Sequence, residues 1–239
     1  MNAFFAVLAQ PLGILLQTLY SFIGNYAISL IVLTTLIKIL LYPSYKQQMM
    51  STMGMQKIQA QVKDIQTKYQ NDRALMNQKL QELYKKENVS PTAGCLPMIV
   101  QMIIIMGLFA LLRNPILYMN SEDMVFAVHE SFLWIEDLAQ PDPWILPILA
   151  GIATFVSFYL SSQNQQSSMG GAMTVMMKYV FPLMIMWLAR SYPAGLALYW
   201  FVSQFLQIFF TLRFNQLRKN EGKKPKKKKK PVRAGEGVR

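Results

Sequence analysis

The 239-residue sequence is 53% hydrophobic, sets 24 Lys/Arg against 12 Asp/Glu for a formal net charge of +12, and holds one histidine and one cysteine. A single cysteine excludes an intrachain disulfide framework, and a single histidine leaves poor material for a His-based metal cluster or a Ser-His-Asp triad. The apolar residues fall in five blocks, Tyr26–Tyr42, Leu96–Leu112, Trp144–Leu160, Ala172–Ala189 and Ala194–Leu212, each about the minimum length for a helix to cross a hydrocarbon core, which leaves little room for a separate soluble core.

The expected class is therefore all-α: a polytopic membrane protein with five transmembrane helices and no convincing strands. Residues 1–23, "MNAFFAVLAQPLGILLQTLY" and the three that follow, lack the basic start of a signal peptide and are interrupted by Pro11. They read as a retained segment lying along the outer interface, with a cleaved signal as the alternative. The first span is 24–43. Within it, "TTLIKILLYP" places Lys38 among apolar neighbours that offer no counter-charge. Two readings stand. The side chain snorkels the ~12 Å towards Lys46, or it turns into a watery cavity between helices, where intramembrane charges generally serve a function.

Residues 46–90 are too polar for lipid but periodic. Ile58, Val62, Ile65 and Tyr69 recur at helical spacing, as do Met76, Leu80, Leu83 and Tyr84. "QNDR" separates the two stretches, with Asn71 or Asp72 able to cap the second. The expectation is a cytoplasmic helical hairpin, serving either as a folded linker with a solvated face or as a docking element through Lys57, Lys63, Lys85 and Lys86. The remaining expected elements are a second span at 94–113, an external loop at 114–143, a third span at 144–161 and a cytoplasmic loop at 162–176. A fourth span at 177–190 and a fifth at 193–212 are joined by the tight "ARSYPAG" turn, with Pro193 just inside the last helix. A basic, disordered cytoplasmic tail occupies 213–239. Its lysines, Lys226, Lys227 and Lys228 among them, admit three roles: enforcing topology, binding anionic lipid, or binding ribosomal RNA.

Charge sets the orientation. Segment 46–90 has eight Lys/Arg and four acids, segment 114–143 has no Lys/Arg and six acids, and the tail from Arg213 has twelve Lys/Arg and two acids. The positive-inside rule puts the first and last of these in the cytoplasm and the middle one outside. Five spans then require an external N-terminus.

Polar residues inside the blocks are the candidate site: Thr34, Thr35, Lys38, Gln101, Thr154, Ser157, Ser203, Gln204 and Gln207. Serine and threonine in such helices usually pack or bond back to their own backbone, whereas a glutamine amide needs partners other than lipid. A Ser–Lys dyad of Lys38 with Ser157 or Ser203 is conceivable chemistry, but nothing else marks a scissile-bond pocket. Neither an enzyme nor a cofactor or metal is expected.

Four stretches carry a family resemblance. "YSFIGNYAISLIVLTTLIKILLYP" resembles the first span of the YidC/Oxa/Alb membrane-insertase family, and "KYQNDRALMNQKLQELYKKENVSPTAGCLPMIVQM" resembles its hairpin and second span. "FLWIEDLAQPDPWILPILAGI" resembles the lead into its third span, and "FPLMIMWLARSYPAGLALYWFVSQFLQI" its last two. Together they cover about residues 20–213. With no large external domain after an anchor span, the chain is similar to the short form found in Gram-positive-type bacteria. The resemblance implies a five-helix core around a hydrophilic groove open to cytoplasm and lipid. Its positive residue, most often Arg in the family, is here Lys38, which lacks the planar donor fork. The family's Asn after "LYW..S" is here Gln204, and its "NDP" is "NDR" with Arg73. Groove and substrate contacts fall on Lys38, Thr35, Gln101, Ser157, Tyr199, Trp200, Ser203 and Gln204. The implied function is insertion and folding of nascent membrane proteins, with the ribosome, the lipid bilayer and a Sec-type translocon as partners and no role for DNA. The rival readings are a small-anion transporter or channel subunit, for which no internal repeat is found, and a folding scaffold beside a translocon.

Overall fold

Gly24 and Asn25 break what would otherwise be one long apolar helix. In the computed structural model, which describes residues 2–90, 96–113, 118, 122–162 and 175–222, Gly24 takes φ +69° and its N–H reaches the Tyr20 carbonyl at 2.8 Å. That left-handed residue closes α1 (Asn2–Ile23). Asn25 then caps α2 (Tyr26–Leu40), its side chain accepting from the Ile28 N–H at 3.0 Å. Cys95, residues 163–174 of the expected cytoplasmic loop and the tail lysines Lys226, Lys227 and Lys228 lie outside the described residues.

Pro43 sits in the first turn of α3 (Tyr42–Lys68), and the chain bends by 51° between α2 and the start of α3. A proline has no N–H for the preceding turn, so the bend falls where the sequence places it. Asp72, rather than Asn71, caps α4 (Arg73–Lys86), accepting from the Leu75 N–H at 3.0 Å. The two helices fold back on each other around Ile58, Val62 and Leu83, with Met55, Ile65, Leu80, Tyr84 and Val89 against them. Lys79 bonds Glu82 at 2.8 Å on the exposed face of α4. That hydrogen bond holds the Lys79 ammonium above its usual pKa and the Glu82 carboxyl below its own. At its base α3 docks on the last helix: the Tyr45 hydroxyl meets Thr211 Oγ1 at 2.6 Å, and Tyr42 packs edge-on against Phe210.

The remaining described elements are α5 (Leu96–Arg113), the short α6 (Glu122–Ala127), α7 (Ile145–Ser162), a π-helical turn (Met176–Val180), α8 (Phe181–Ala189) and α9 (Ala194–Gly222). The π turn was not foreseen from the sequence. Phe181 N–H reaches back five residues to the Met176 carbonyl, and Pro182, with no N–H to give, follows at once. Pro193 precedes the first residue of α9 instead of lying within it, a one-residue difference that leaves its turn role intact. Among the described residues only Ala194–Gln216 is by itself long and apolar enough to cross a bilayer; the bent α2–α3 pair passes jointly, and Ile99–Leu112, Ile145–Ser161 and Met176–Ala189 are shorter apolar helices.

Packing is concentrated at one end of the bundle. There α2 begins, α5 ends, α7 and α9 begin, and segment 122–142 covers them. The core comprises Tyr26, Leu30 and Leu33 of α2, Leu108, Leu111 and Leu112 of α5, Met124, Val128, Ile135 and Leu138 of the covering segment, and Leu196 to Tyr199 of α9. α1 lies against α5 and α2 with Gly13 so close to the Tyr118 carbonyl that a Cβ would stand 2.5 Å from it. Gly151 gives α7 a similarly close approach to α8 at Met186, the small-residue packing usual between apolar helices.

The acids of the covering segment hold this end together. Asp142, 6% exposed, accepts the N–H groups of Trp144, Ile145 and Leu146 and the Trp134 indole at 2.8–3.4 Å. Glu130 accepts the Tyr26 N–H at 2.8 Å and the Tyr20 hydroxyl. Asp142→Ala is expected to lose about 0.5–2 kcal/mol of capping and to strand the Trp134 N–H. The check is a lowered melting temperature in detergent, with Asp142→Asn losing less. The α3–α4 pair, with its small separate core, is expected to open locally at lower free energy than the bundle. Ile58→Ala should therefore speed amide exchange across 55–89 while leaving exchange in α9 unchanged.

Candidate functional site

Beyond the packed end burial falls away on α2 and α5. On α2 the buried residues are Tyr26, Ala27, Ser29, Leu30, Leu33 and Thr34, and none follows them. On α5, Gly107, Leu108, Leu111 and Leu112 are buried, whereas residues 99–106 are half-buried or exposed. α2 packs on α1 and α9, and α5 packs on α1, but α2 and α5 share no extended contact with each other.

Lys38 lies one turn past Thr34, where this separation starts. Its ammonium donates to Gln101 Oε1 at 3.3 Å, across the space between α2 and α5. Gln101 Nε2 donates in turn to the Tyr199 hydroxyl on α9 at 2.9 Å. Three helices are thus joined by one chain of side-chain hydrogen bonds. Tyr199 is 2% exposed and belongs to the packed core, so the chain is anchored at one end and half-buried at the other. Ser203, one turn along α9, is buried with its hydroxyl near the Tyr199 phenol, without the geometry of a full hydrogen bond. Lys38 takes part in no ion pair among the described residues. Its partner is an amide and neither Ser157 nor Ser203, so the Ser–Lys dyad weighed from the sequence is not formed.

A second polar link joins α9 to α7. Trp200 Nε1 donates to Thr154 Oγ1 at 2.9 Å, and Thr154 donates to the Ala150 carbonyl at 2.6 Å. Ser157 is buried one turn along α7. The structure therefore brings Lys38, Gln101, Tyr199 and Ser203 into one cluster and Trp200 with Thr154 into its neighbour. Thr35 does not join either, since its hydroxyl bonds back to the Ile31 carbonyl at 2.8 Å, and Gln204 is half-buried on α9 outside both. Lys57, Lys63, Lys85 and Lys86 are exposed on α3 and α4.

Among the functional positions, Thr154 was present in the sequence only as one of several scattered hydroxyls; its partner Trp200 lies 46 positions away, and no local pattern ties them. Asp142 and Glu130 carried a readable charge signal but no sign of their hydrogen bonds. Among the described residues no cluster of His, Cys, Asp and Glu suited to a metal ion occurs.

Comparison with known proteins follows this geometry. The family model described as 60Kd inner membrane protein matches residues 18–222. The membrane protein insertase YidC of Fusobacterium nucleatum is 38% identical over 209 residues, covering 87% of this chain and 95% of that protein. Membrane protein insertase YidC 1 of Lactococcus lactis is 37% identical over 196 residues, covering 80% of this chain and 69% of that protein. Among solved structures, the crystal structure of an active YidC insertase with its first transmembrane domain resolved is similar with a TM-score of 0.61 and 25% identity. That match covers 88% of this chain and 47% of the other. With its helices, its order of elements and most of its length matched, the chain belongs to the 60Kd inner membrane protein family, the family of the YidC insertases.

Proposed function

We propose that this protein inserts and helps fold bacterial inner-membrane proteins by way of a hydrophilic groove between α2, α5, α7 and α9. The observation that carries the reading is the asymmetry of the bundle: a packed, acid-capped end beside an end where helices part around Lys38, Gln101 and Tyr199. Five spans, at 24–43, 94–113, 144–161, 177–190 and 193–212, with an external N-terminus, put the packed end outside and the open end towards the cytoplasm. The basic 46–90 and 213–239 segments then face inward, as their charge favours.

Transfer in such a groove needs neither a nucleotide nor covalent chemistry. A polar segment of a nascent protein meets a shorter hydrocarbon barrier than the full ~30 Å, and the Lys38 ammonium attracts its acidic groups. The following apolar helix leaves sideways over the exposed apolar residues of α7 and α9, such as Ile152, Phe155, Phe205 and Phe209. Its burial in lipid supplies the driving force, at about 0.8 kcal/mol per CH₂. The groove residues are Lys38, Gln101, Ser157, Tyr199, Trp200 and Ser203, with Thr35 and Gln204 at its edge. The ribosome is the partner of the basic tail, including Lys226, Lys227 and Lys228, and of Lys57, Lys63, Lys85 and Lys86; a Sec-type translocon works beside it.

Purified protein in liposomes, with no other component, should insert a small membrane protein whose external segment is acidic; solute flux in place of insertion would mark a transporter. Lys38→Glu and Lys38→Ala are expected to lower that insertion by about tenfold, as loss of ~1.4 kcal/mol of attraction would, with Lys38→Arg retaining most of it. Normal insertion by the Glu and Ala variants removes the electrostatic role. Trimming residues 219–239 should weaken co-sedimentation with ribosomes, most at moderate salt where counterion release is sensitive.

A further inference from the structure

Lys38 has one hydrogen-bond partner among the described residues, the Gln101 carbonyl oxygen. An ammonium carries three donors and no acceptor, so two N–H groups remain uncommitted. A neutral amide can hold such a cation without cancelling its charge. A carboxylate in the same place could hold it equally well but would be its counter-ion.

The amide is itself held one way round. Gln101 Nε2 donates to the Tyr199 hydroxyl at 2.9 Å. Were the amide turned over, its NH₂ would face the ammonium, donor against donor, and its oxygen would face the phenol. Tyr199 is fully enclosed in the core, and its neighbours Leu198 and Leu196 are core residues too. The phenol is therefore a rigid reference for the amide, and the amide for the cation. α2 and α5 share no extended contact and are held relative to one another through α1 and α9; the side-chain chain is the direct link between them at the level of Lys38.

We propose that Gln101 and Tyr199 are positioning residues that set the charge preference of the site by presenting Lys38 as an uncancelled cation with two free donors, fitted to a carboxylate of the passing peptide. The proposal rests on the insertase reading and deepens it. The preference resides in the amide at position 101, acting through Lys38, and in the phenol that anchors it. Gln101→Glu turns the holder into a counter-ion, so the site loses its preference while keeping its lysine. Tyr199→Phe keeps the ammonium that selects the amide oxygen but removes the core anchor that holds the amide in place.

The test is the ratio of insertion of two substrates identical except for an acidic or a neutral external segment, measured in liposomes with the full-length protein. The ratio is insensitive to a general loss of folded protein, which a merely structural role would cause. Gln101→Glu is expected to lower it about tenfold, to the level of Lys38→Ala, and Tyr199→Phe about threefold, each 1.4 kcal/mol of preference being a factor of ten. Gln101→Met, similar in shape but without an acceptor or a charge, should fall between wild type and Gln101→Glu. A Gln101→Glu protein with the wild-type ratio overturns the proposal, while loss of the ratio in Lys38→Ala in the same assay leaves the insertase reading standing. An unchanged ratio in Lys38→Ala removes the electrostatic role of Lys38 and this proposal with it, whereas failure of the wild-type protein to insert either substrate refutes the insertase reading. Should Gln101→Glu not fold, Tyr199→Phe decides: a lowered ratio supports the chain of control and an unchanged one refutes it.

Discussion

An ammonium set among apolar helices is costly unless it finds an acceptor, and every unmatched polar atom placed beside it adds to that cost. The surroundings of Lys38 can be read as a succession of answers to this constraint. The cation needs an acceptor, which Gln101 supplies from α5. The amide then has a donor of its own to satisfy, and Tyr199 accepts it from α9. The phenol ends the sequence inside the packed core, where its ring is held by apolar neighbours. Polar groups that would each be costly alone are made tolerable by being linked, and the link spans the region where the helices stop touching.

The opposite end of the bundle follows from a second constraint. An α-helix leaves its first N–H groups without intrahelical partners and carries partial positive charge at its N-terminus. α2, α7 and α9 all begin at the packed end. The segment that covers them supplies an acceptor for each: Glu130 for α2, Asp142 for α7, and the carbonyls of Gln140 and Leu138 for Ala194 and Gly195 at the start of α9. Two acidic residues of the covering segment are thus helix caps, and the concentration of helix N-termini explains why an acidic cover suits this end. With these donors met, the end can close and pack.

The α3–α4 pair stands apart from both constraints. It leaves α2 through a proline bend, has a core of its own, and is tied to the rest chiefly where Tyr42 and Tyr45 meet Phe210 and Thr211.

Much of this was legible from residues alone. Apolar block lengths gave the helical class, and local rules found the break before α4 and narrowed its cap to Asn71 or Asp72, because these depend on neighbours within a few positions. Lys38 and Gln101 could be picked out singly, as polar side chains with no excuse to face lipid. Their pairing could not, since it depends on helices 63 positions apart in sequence and on Tyr199 a further 98 away. Nor could the capping roles of Glu130 and Asp142, the π turn before Pro182, or the confinement of dense packing to one end. Composition and spacing determine which groups must be satisfied; only the tertiary arrangement decides by whom, because hydrogen-bond partners and contact between helices are set by distances in space that no local pattern encodes.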